Sequence, residues 1–441
     1  MTRIPAALCR YTENLKSVTL PNSLTEIGEE AFKNCKALTE VTACTGLKTV
    51  KDNAFDECTA LTKVNITNLA AWCGIDFSTA KSNPLYYAKK LYVNGTLVTS
   101  LTIPNVTVVK NYTFYNCTSI TELTVPKTVT SFSGSGMFTG CTGLKKVVWN
   151  SPFYTEYRFQ PFNGLDGIQT ISFAGSVTKI CPYMCYYLQG LTTLTIPASV
   201  TTVGKNAFAN CTSLATVYWN AANCADFTSS DTPFTGSTSI STFIFGNTVK
   251  SIPDYLCYDM TSLKTVTIGT GVTQIGYYCF NKCTGLSRVN ISDLAKWCGI
   301  VFGLNAGNPL GNPLYHAKNL YLNDALVTDL TIPATVTEIK KFAFSNATCL
   351  KSVTIPASVT TIGYDAFSGC TGLTRVNISD LAKWCGIEFA SYISNPLRFA
   401  TDLYLNGAKV TDLIIPNTVT TINKYAFNYC ENLLSVTIPH R

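Results

Sequence analysis

The sequence predicts a solenoid of stacked repeats, with a parallel β-sheet on one face and short helical or 3-10 turns between its strands. A unit of 23 residues recurs along the 441-residue chain, each unit contains strand-like alternation, and Pro, Ala-Phe and Cys markers follow in the same order. One unit cannot bury its apolar faces alone, so neighbouring units must stack on one another. We therefore predict a single continuous solenoid over residues 1–441.

The first half of the unit has the form Leu-x-x-Val-Thr-Ile-Pro. Val and Ile alternate with Thr, which places the apolar side chains inside and the Thr hydroxyls outside. Pro ends the strand because it has no N–H for the sheet ladder, and Pro333 and Pro356 lie 23 residues apart. The outward-facing position predicts a stripe of hydroxyls formed by Thr19, Thr124, Thr195, Thr267, Thr331, Thr354 and Thr437.

The second half of the unit has the form Ser-Val-Thr-x-Ile-Gly-x-x-Ala-Phe-x-x-Cys. Gly permits the turn, and the Ala-Phe segment is predicted to bury Phe in a short helical or 3-10 turn. Phe32 and Phe55 show the same 23-residue spacing as the Pro markers. A cysteine ladder is predicted three residues after the Phe position, at Cys35, Cys58, Cys117, Cys141, Cys211, Cys283, Cys370 and Cys430.

Longer segments interrupt the simple unit. Three of them share the text Val-Asn-Ile, Trp-Cys-Gly-Ile, Asn-Pro-Leu and Leu-Tyr-x-Asn. In these segments Ser292 and Ser379 are predicted helix N-caps, and Asn94-Gly95 and Asn406-Gly407 are predicted hairpin turns. The irregular inserts are expected at about 64–103, 149–173, 219–245, 289–332 and 376–415.

The unit from Val353 to Thr371 resembles the BspA-like (Treponema pallidum-type) leucine-rich repeats of microbial surface proteins. The resemblance implies a right-handed leucine-rich-repeat solenoid, an extracellular or cell-surface location, and protein-binding or adhesive roles. It brings no catalytic motif. The chain opens inside a turn at Ile4-Pro5 and closes on a bare strand at Ile438-Pro439, so we expect both ends to be truncated or uncapped. From the residues at the two ends we expect neither a signal sequence nor an anchor within these 441 residues.

The 19 cysteines follow the spacing of the repeat, and their number is odd. A disulfide framework predicts paired spacings and usually an even number, whereas small thiols suit the interior of a tight turn. We therefore expect the ladder cysteines to be free core thiols. A zinc site would have to draw on these same thiols, so no metal is expected.

Histidine argues against an enzyme, because His316 and His440 are the only two. A catalytic triad or a Cys-His pair needs a histidine, the carboxylates are few and scattered, and no phosphate-binding or dinucleotide-binding motif is present. We predict no catalysis and no cofactor. The net charge of +7 with 13% charged residues does not favour nucleic acid as a partner, and no apolar run is long enough to insert in a membrane.

Two sets of residues are candidates for ligand contact. Tyrosine is enriched at binding surfaces, and three tyrosines occupy equivalent positions beside predicted hairpins. The alternative is that these rings pack the inserts against the solenoid and that the outward Thr residues are simply good strand formers. The candidates are Tyr92, Tyr321 and Tyr404 with Thr124, Thr195, Thr267, Thr331 and Thr354.

These expectations lead to one function and one alternative. The function is a non-catalytic, cell-surface or secreted interaction or adhesion module that binds a protein or glycan ligand. The alternative is a structural spacer that displays other domains of a longer surface protein.

Overall fold

A computed structural model describes residues 1–303 and 310–438. The chain divides into two compact units, which are Met1–Ala215 with Pro233–Thr238 (unit 1) and Thr216–Thr232 with Ser239–Arg441 (unit 2). The last Ile-Pro marker at Pro439 and the terminal His440 lie outside the described residues.

Each unit alternates short strands with turns. The strands of unit 1 are β1 Arg3–Ile4, β2 Ser17–Thr19, β3 Glu26–Ile27, β4 Glu40–Thr42, β5 Thr49–Val50, β6 Lys63–Ile66, β7 Asp76–Phe77, β8 Leu91–Val93, β9 Thr96–Leu97, β10 Ser100–Thr102, β11 Val108–Val109, β12 Glu122–Val125, β13 Ser131–Phe132, β14 Lys146–Trp149, β15 Thr170–Phe173, β16 Lys179–Ile180, β17 Thr193–Ile196 and β18 Thr202–Val203.

The strands of unit 2 follow the same pattern. They are β19 Thr216–Trp219, β20 Thr242–Phe245, β21 Ser251–Ile252, β22 Thr265–Ile268, β23 Gln274–Ile275, β24 Arg288–Ile291, β25 Val301–Phe302, β26 Leu320–Leu322, β27 Ala325–Leu326, β28 Asp329–Thr331, β29 Glu338–Ile339, β30 Ser352–Ile355, β31 Thr361–Ile362, β32 Arg375–Ile378, β33 Glu388–Phe389, β34 Asp402–Leu405, β35 Ala408–Lys409, β36 Asp412–Ile414 and β37 Ser435–Thr437.

The longer strands of each unit form the main sheets, in which successive turns pair in parallel. In unit 1 the strand orders are β2-β4-β6-β8-β9 and β10-β12-β14-β15-β17, and in unit 2 they are β19-β20-β22-β24-β26-β27, β28-β30-β32-β34-β35 and β36-β37. The two-residue strands form narrower parallel sheets such as β1-β3-β5-β7 and β29-β31-β33. The predicted fold class, a leucine-rich-repeat solenoid with a parallel sheet and short helical turns, is confirmed.

The core follows the inward positions of the repeat. Val353 and Ile355 are almost completely buried, as are their equivalents in most turns, whereas Val18 is half-buried and Val436 is 55% exposed. The repeat phenylalanines stack from turn to turn, with ring centroids 5.2 Å apart for Phe32 and Phe55 and 5.3 Å apart for Phe344 and Phe367. Buried aromatic pairs at this distance add to the stabilisation that comes from the removal of apolar area from water.

Three of the long segments contribute complete turns of the solenoid. In the first, β7 pairs in parallel with β5, and β8 pairs in parallel with β6. An antiparallel strand, β9, then closes the edge of that sheet. The equivalent antiparallel strands in unit 2 are β27 and β35, so each hairpin ends one main sheet.

The helices of these segments are short. They are α1 Leu69–Cys73, α2 Leu85–Ala88, α3 Leu294–Cys298, α4 Leu314–Ala317, α5 Leu381–Cys385 and α6 Leu397–Ala400, with a 3-10 turn at Ala80–Ser82. Another 3-10 turn, Gly136–Phe138, lies outside these segments. Within residues 1–303 and 310–438, no helix has the length and apolar character needed to cross a bilayer.

The predicted N-caps at Ser292 and Ser379 are wrong by one residue. The cap of α3 is Asp293, whose side chain accepts a hydrogen bond from the Lys296 N–H, and the cap of α5 is Asp380. A carboxylate at this position accepts the same hydrogen bond as a serine hydroxyl and also interacts favourably with the positive end of the helix dipole.

Candidate ligand-binding face

The outward positions of the main sheets line up into rows across successive strands. Strand register defines row 1 as Thr19, Thr42, Asn65 and Tyr92, row 2 as Tyr218, Ile244, Thr267, Asn290 and Tyr321, and row 3 as Thr331, Thr354, Asn377 and Tyr404. Row 1 belongs to unit 1, and rows 2 and 3 belong to unit 2. Each row ends on a tyrosine in the first strand of a hairpin.

The hairpin turns fix the position of these tyrosines. The turn residues Asn94 and Gly95 have φ angles of 50° and 79°, and Asn406 and Gly407 have φ angles of 50° and 84°. Two successive positive φ angles are typical of the tight turn that matches the twist of antiparallel strands. The two hairpins predicted from Asn-Gly are therefore confirmed.

The third hairpin turns at Asn323 and Asp324, where the φ angles are 48° and 67°. A strand asparagine supports two of the three turns from the neighbouring strand. The Asn65 side-chain oxygen accepts a hydrogen bond from the Gly95 N–H at 3.0 Å, and that of Asn290 accepts one from the Asp324 N–H at 3.2 Å.

A cation lies over each of the three hairpin tyrosines. The Arg288 guanidinium is 4.0 Å from the ring centroid of Tyr321, and the Arg375 guanidinium is 5.2 Å from that of Tyr404. In row 1 the Lys63 ammonium takes this place, 5.3 Å from the Tyr92 ring. A cation over an aromatic face is attracted by the ring quadrupole, and the contact restrains both side chains.

Acidic groups flank the cations in unit 2. Asp324 forms an ion pair with Arg288 at 2.5 Å, and Asp402 forms one with Lys409 at 2.8 Å. Asp329 accepts a hydrogen bond of 2.6 Å from the Ser352 hydroxyl, which lowers the pKa of the Asp329 carboxyl. Rows 2 and 3, together with the charged residues beside them, therefore place rings, cations, anions and neutral polar groups close together.

The predicted contact residues fall into two groups. Thr267 lies in row 2 with Tyr321, and Thr331 and Thr354 lie in row 3 with Tyr404, so the structure brings these residues together. Thr124 and Thr195 belong to a row of unit 1 without a hairpin tyrosine, in which Val148 and Ser172 lie between them.

Sequence reasoning missed other polar residues in the rows and beside them. They are the strand asparagines and the cations that precede them by two positions. A signal was present, because Val-Asn-Ile replaces Val-Thr-Ile at all three hairpins and is preceded by Lys or Arg. The residues are Lys63, Asn65, Arg288, Asn290, Arg375 and Asn377.

Comparison with known proteins identifies the repeat. The family model for the BspA type Leucine rich repeat region matches 6 copies, over residues 2–75, 88–215, 228–300, 317–395 and 399–441. The chain belongs to the BspA-type leucine-rich repeat family. No curated protein matches the sequence significantly.

Several solved structures with a similar fold come from bacteria. A leucine-rich repeat protein from Bacteroides ovatus is 21% identical, with a TM-score of 0.40 and coverage of 88% of this chain and 87% of that one. A leucine rich cell surface protein from Faecalibacterium prausnitzii is 19% identical, with a TM-score of 0.22 and coverage of 89% and 86%. A leucine-rich repeat protein from Treponema pallidum is 18% identical, with a TM-score of 0.20 and coverage of 49% and 78%.

The cysteine position of the BspA-type repeat has a defined hydrogen bond. The Cys58 thiol donates to the Phe32 carbonyl at 3.1 Å, and the Cys370 thiol donates to the Phe344 carbonyl at 3.1 Å. Where another residue replaces Phe, the bond persists, because Cys283 donates to the Cys257 carbonyl at 3.0 Å. The thiols of Cys35, Cys141 and Cys211 form the same bond, so each of these six thiols links its turn to a preceding one. The ladder cysteines are buried except for the half-exposed Cys430.

Burial keeps these thiols protonated. It raises the pKa of Cys58 and Cys211 to about 12. We expect a small alkylating reagent at pH 8 to modify only Cys9, Cys349 and Cys430 in the folded protein, because the other cysteines are buried. Intact-mass measurements should show modification of all 19 cysteines after unfolding in urea. Rapid alkylation of Cys58 or Cys370 in the folded state would contradict this prediction.

His316 is placed in α4 beside the ring of Tyr315, and its Nε2 is buried and has no hydrogen-bond partner among the described residues. Burial, together with the nearby Lys318 charge, lowers the pKa of His316, so the imidazole is neutral at pH 7. Within residues 1–303 and 310–438, no group of three or more His, Cys, Asp or Glu side chains is arranged to hold a metal ion.

Proposed function

We propose that this BspA-type protein is a non-catalytic interaction module of the cell surface or the extracellular space, which binds a protein or glycan ligand on the outward face of its main sheets. The observation that carries the proposal is the repeated arrangement at the ends of the three rows. There, a half-buried hairpin tyrosine lies under a cation and beside an asparagine.

The arrangement supports binding in two ways. Tyr and Arg provide large contact area and directional hydrogen bonds, and they dominate the energetics of many interfaces. The contact between Arg288 and Tyr321 holds both side chains in one geometry before a ligand arrives. A ligand that meets pre-positioned side chains loses less conformational entropy on binding.

A broad binding array tests the function. Purified protein is applied to matrix proteins, mucins and glycans, and saturable binding to at least one of them is expected. A structural spacer would bind none of them above the background of an unrelated solenoid of similar charge. That outcome would reject the interaction module in favour of the alternative.

Row 2 supplies a matched pair of variants for any ligand found on unit 2. Tyr321→Ala removes the hairpin ring under Arg288, and we expect it to weaken binding by about 2 kcal/mol, roughly 30-fold in Kd. Tyr218→Ala is the control, since Tyr218 lies in the same row, is 41% exposed and has no cation over its ring among the residues that the structure describes. Equal losses in the two variants would show that the hairpin site has no special role.

A further inference from the structure

A second cluster of rings and cations lies in unit 1, away from the rows. It forms where the loop after β14 packs on the turn after β16. The Phe159 N–H donates to the Pro182 carbonyl at 3.1 Å, and the Cys181 thiol donates to the Phe153 carbonyl at 3.7 Å. We call this surface the loop patch, and its members are Tyr154, Tyr157, Arg158, Lys179, Tyr183, Tyr186 and Tyr187.

Two cations of the loop patch make cation–π contacts with tyrosine rings. The Arg158 guanidinium lies 4.8 Å from the centroid of Tyr183 and 5.5 Å from that of Tyr186, and the Lys179 ammonium lies 4.9 Å from that of Tyr154. Within the part of the chain that the structure describes, neither cation forms an ion pair. The Arg158 Nε donates instead to the Gln160 side-chain oxygen at 2.8 Å.

Two further rings of the loop patch face the solvent. Tyr157 is 82% exposed and Tyr187 is 44% exposed, and both rank among the large apolar side chains that the fold leaves uncovered. Tyr187 packs edge-on against Tyr186 at 4.8 Å, which fixes the direction of its ring. The patch therefore combines accessible ring faces with two cations that form no ion pair among the described residues.

We propose that the loop patch binds an acidic polysaccharide, whose sugar rings stack on Tyr157 and Tyr187 and whose carboxylates pair with Arg158 and Lys179. A guanidinium held over two rings presents its remaining N–H groups in a fixed plane, which suits bidentate recognition of a carboxylate. The apolar face of a pyranose ring matches an exposed tyrosine ring in size and shape.

Other anionic partners fit the loop patch less well. Nucleic acids gain most of their affinity from many phosphate contacts, and here two cations stand among five tyrosines. A linear peptide is usually held by a strand edge or by apolar pockets. The loop patch is instead formed by a loop that packs on a turn.

The loop patch is independent of the proposed function on the sheet face. Lys179 belongs to β16, which pairs with β18 in a narrow sheet, and none of the patch residues belongs to a row. Loss of binding at one surface therefore leaves the other unchanged, so failure of either proposal can be recognised separately.

Polygalacturonate and its fully methyl-esterified form are the probes, because they share one sugar backbone and differ in the carboxylates. We expect affinity electrophoresis of the full chain at about 0.15 M salt, where long-range charge effects are screened, to show retardation by polygalacturonate only. Arg158→Gln should weaken this retardation at least tenfold. Lys282→Gln is the matched control, because the Lys282 ammonium lies 5.0 Å from the ring of Tyr258 in unit 2, and it should bind as the unchanged protein does.

A second variant guards against misfolding. Tyr157 is so exposed that Tyr157→Ser should leave the circular dichroism spectrum unchanged while reducing retardation at least fivefold. Three results would overturn the proposal. They are equal retardation by the esterified polymer, unchanged binding of both Arg158→Gln and Tyr157→Ser, or equal affinity for a single-stranded oligonucleotide or for acidic phospholipid vesicles.

Discussion

Replacement of Trp297 by alanine is expected to lower the free energy of unfolding of the chain by about 3–5 kcal/mol, the range for large aromatic residues in a core. Trp297 is 1% exposed in α3, and its indole Nε1 donates to the Ala343 carbonyl at 2.9 Å. The side chain therefore fills the turn in which it lies and also bonds to a residue 46 positions later in the chain.

Two variants separate the packing of Trp297 from its hydrogen bond. Trp297→Phe keeps an aromatic ring in the core but leaves the Ala343 carbonyl without the indole donor. The lost hydrogen bond should cost about 1–3 kcal/mol. Val301→Ala, a change at a 43% exposed position in the neighbouring β25, should alter stability by less than about 0.5 kcal/mol. Urea unfolding followed by circular dichroism gives the three values. A loss below about 1 kcal/mol for Trp297→Ala would show that the repeat relaxes around the cavity.

The periodic part of this fold could be predicted from local sequence. Val353 and Ile355 are buried, and Thr354 between them is partly exposed, as a strand periodicity of two requires. The Asn-Gly turns were also predictable, because few residue pairs adopt two successive positive φ angles without strain. Each of these features depends only on a residue and its immediate neighbours in the chain, so it can be predicted from the sequence alone.

The rows depend on register and were predicted only in part. The outward Thr stripe was visible, but the position of Arg375 over Tyr404 depends on the pairing of β32 with β34, across 29 residues of chain. The predictions of the helix N-caps at Ser292 and Ser379 were wrong for a related reason. Ser379 and Asp380 are both good N-cap residues, and only the start of α5 after the turn decides between them.

The buried asparagine of the Asn-Pro-Leu text is the other feature that local sequence did not explain. Asn83 is completely buried, and its side-chain nitrogen donates to the Tyr112 carbonyl at 2.7 Å and to the Thr113 carbonyl at 3.2 Å. Its side-chain oxygen accepts from the Leu85 N–H at 2.8 Å. Asn395 makes the equivalent contacts with Tyr425, Ala426 and Leu397. One amide thus satisfies backbone groups of two successive turns.

Asn83→Ala should therefore destabilise the protein by about 1–3 kcal/mol, because the buried Leu85 N–H loses its partner. The Tyr112 carbonyl keeps the Tyr115 N–H as a donor, and the Thr113 carbonyl keeps the Trp72 indole. Urea unfolding should give nearly the same loss at pH 4 and at pH 7, because the variant adds no titratable group. An equal substitution on the surface, Asn111→Ala, would not be a clean control, since the Asn111 side chain accepts a hydrogen bond from the Gly136 N–H. Thr96→Ala, at an exposed position in β9, is a better one and should cost little.

Asn83→Asp separates the shape of this side chain from its hydrogen-bond donors. The new carboxyl fits the same space, but as a carboxylate it cannot donate and faces the Tyr112 carbonyl. Burial and the loss of the donor raise its pKa in the folded state above the ordinary value of about 3.9. A raised folded pKa means that the stability is fully present below pH 4 and is lost as the pH rises through that raised pKa. The deficit relative to the unchanged protein should therefore be larger at pH 7 than at pH 4, whereas that of Asn83→Ala stays constant. Equal deficits of Asn83→Asp at both pH values would show that its carboxylate finds water or another donor, and that the amide nitrogen does not join the two turns.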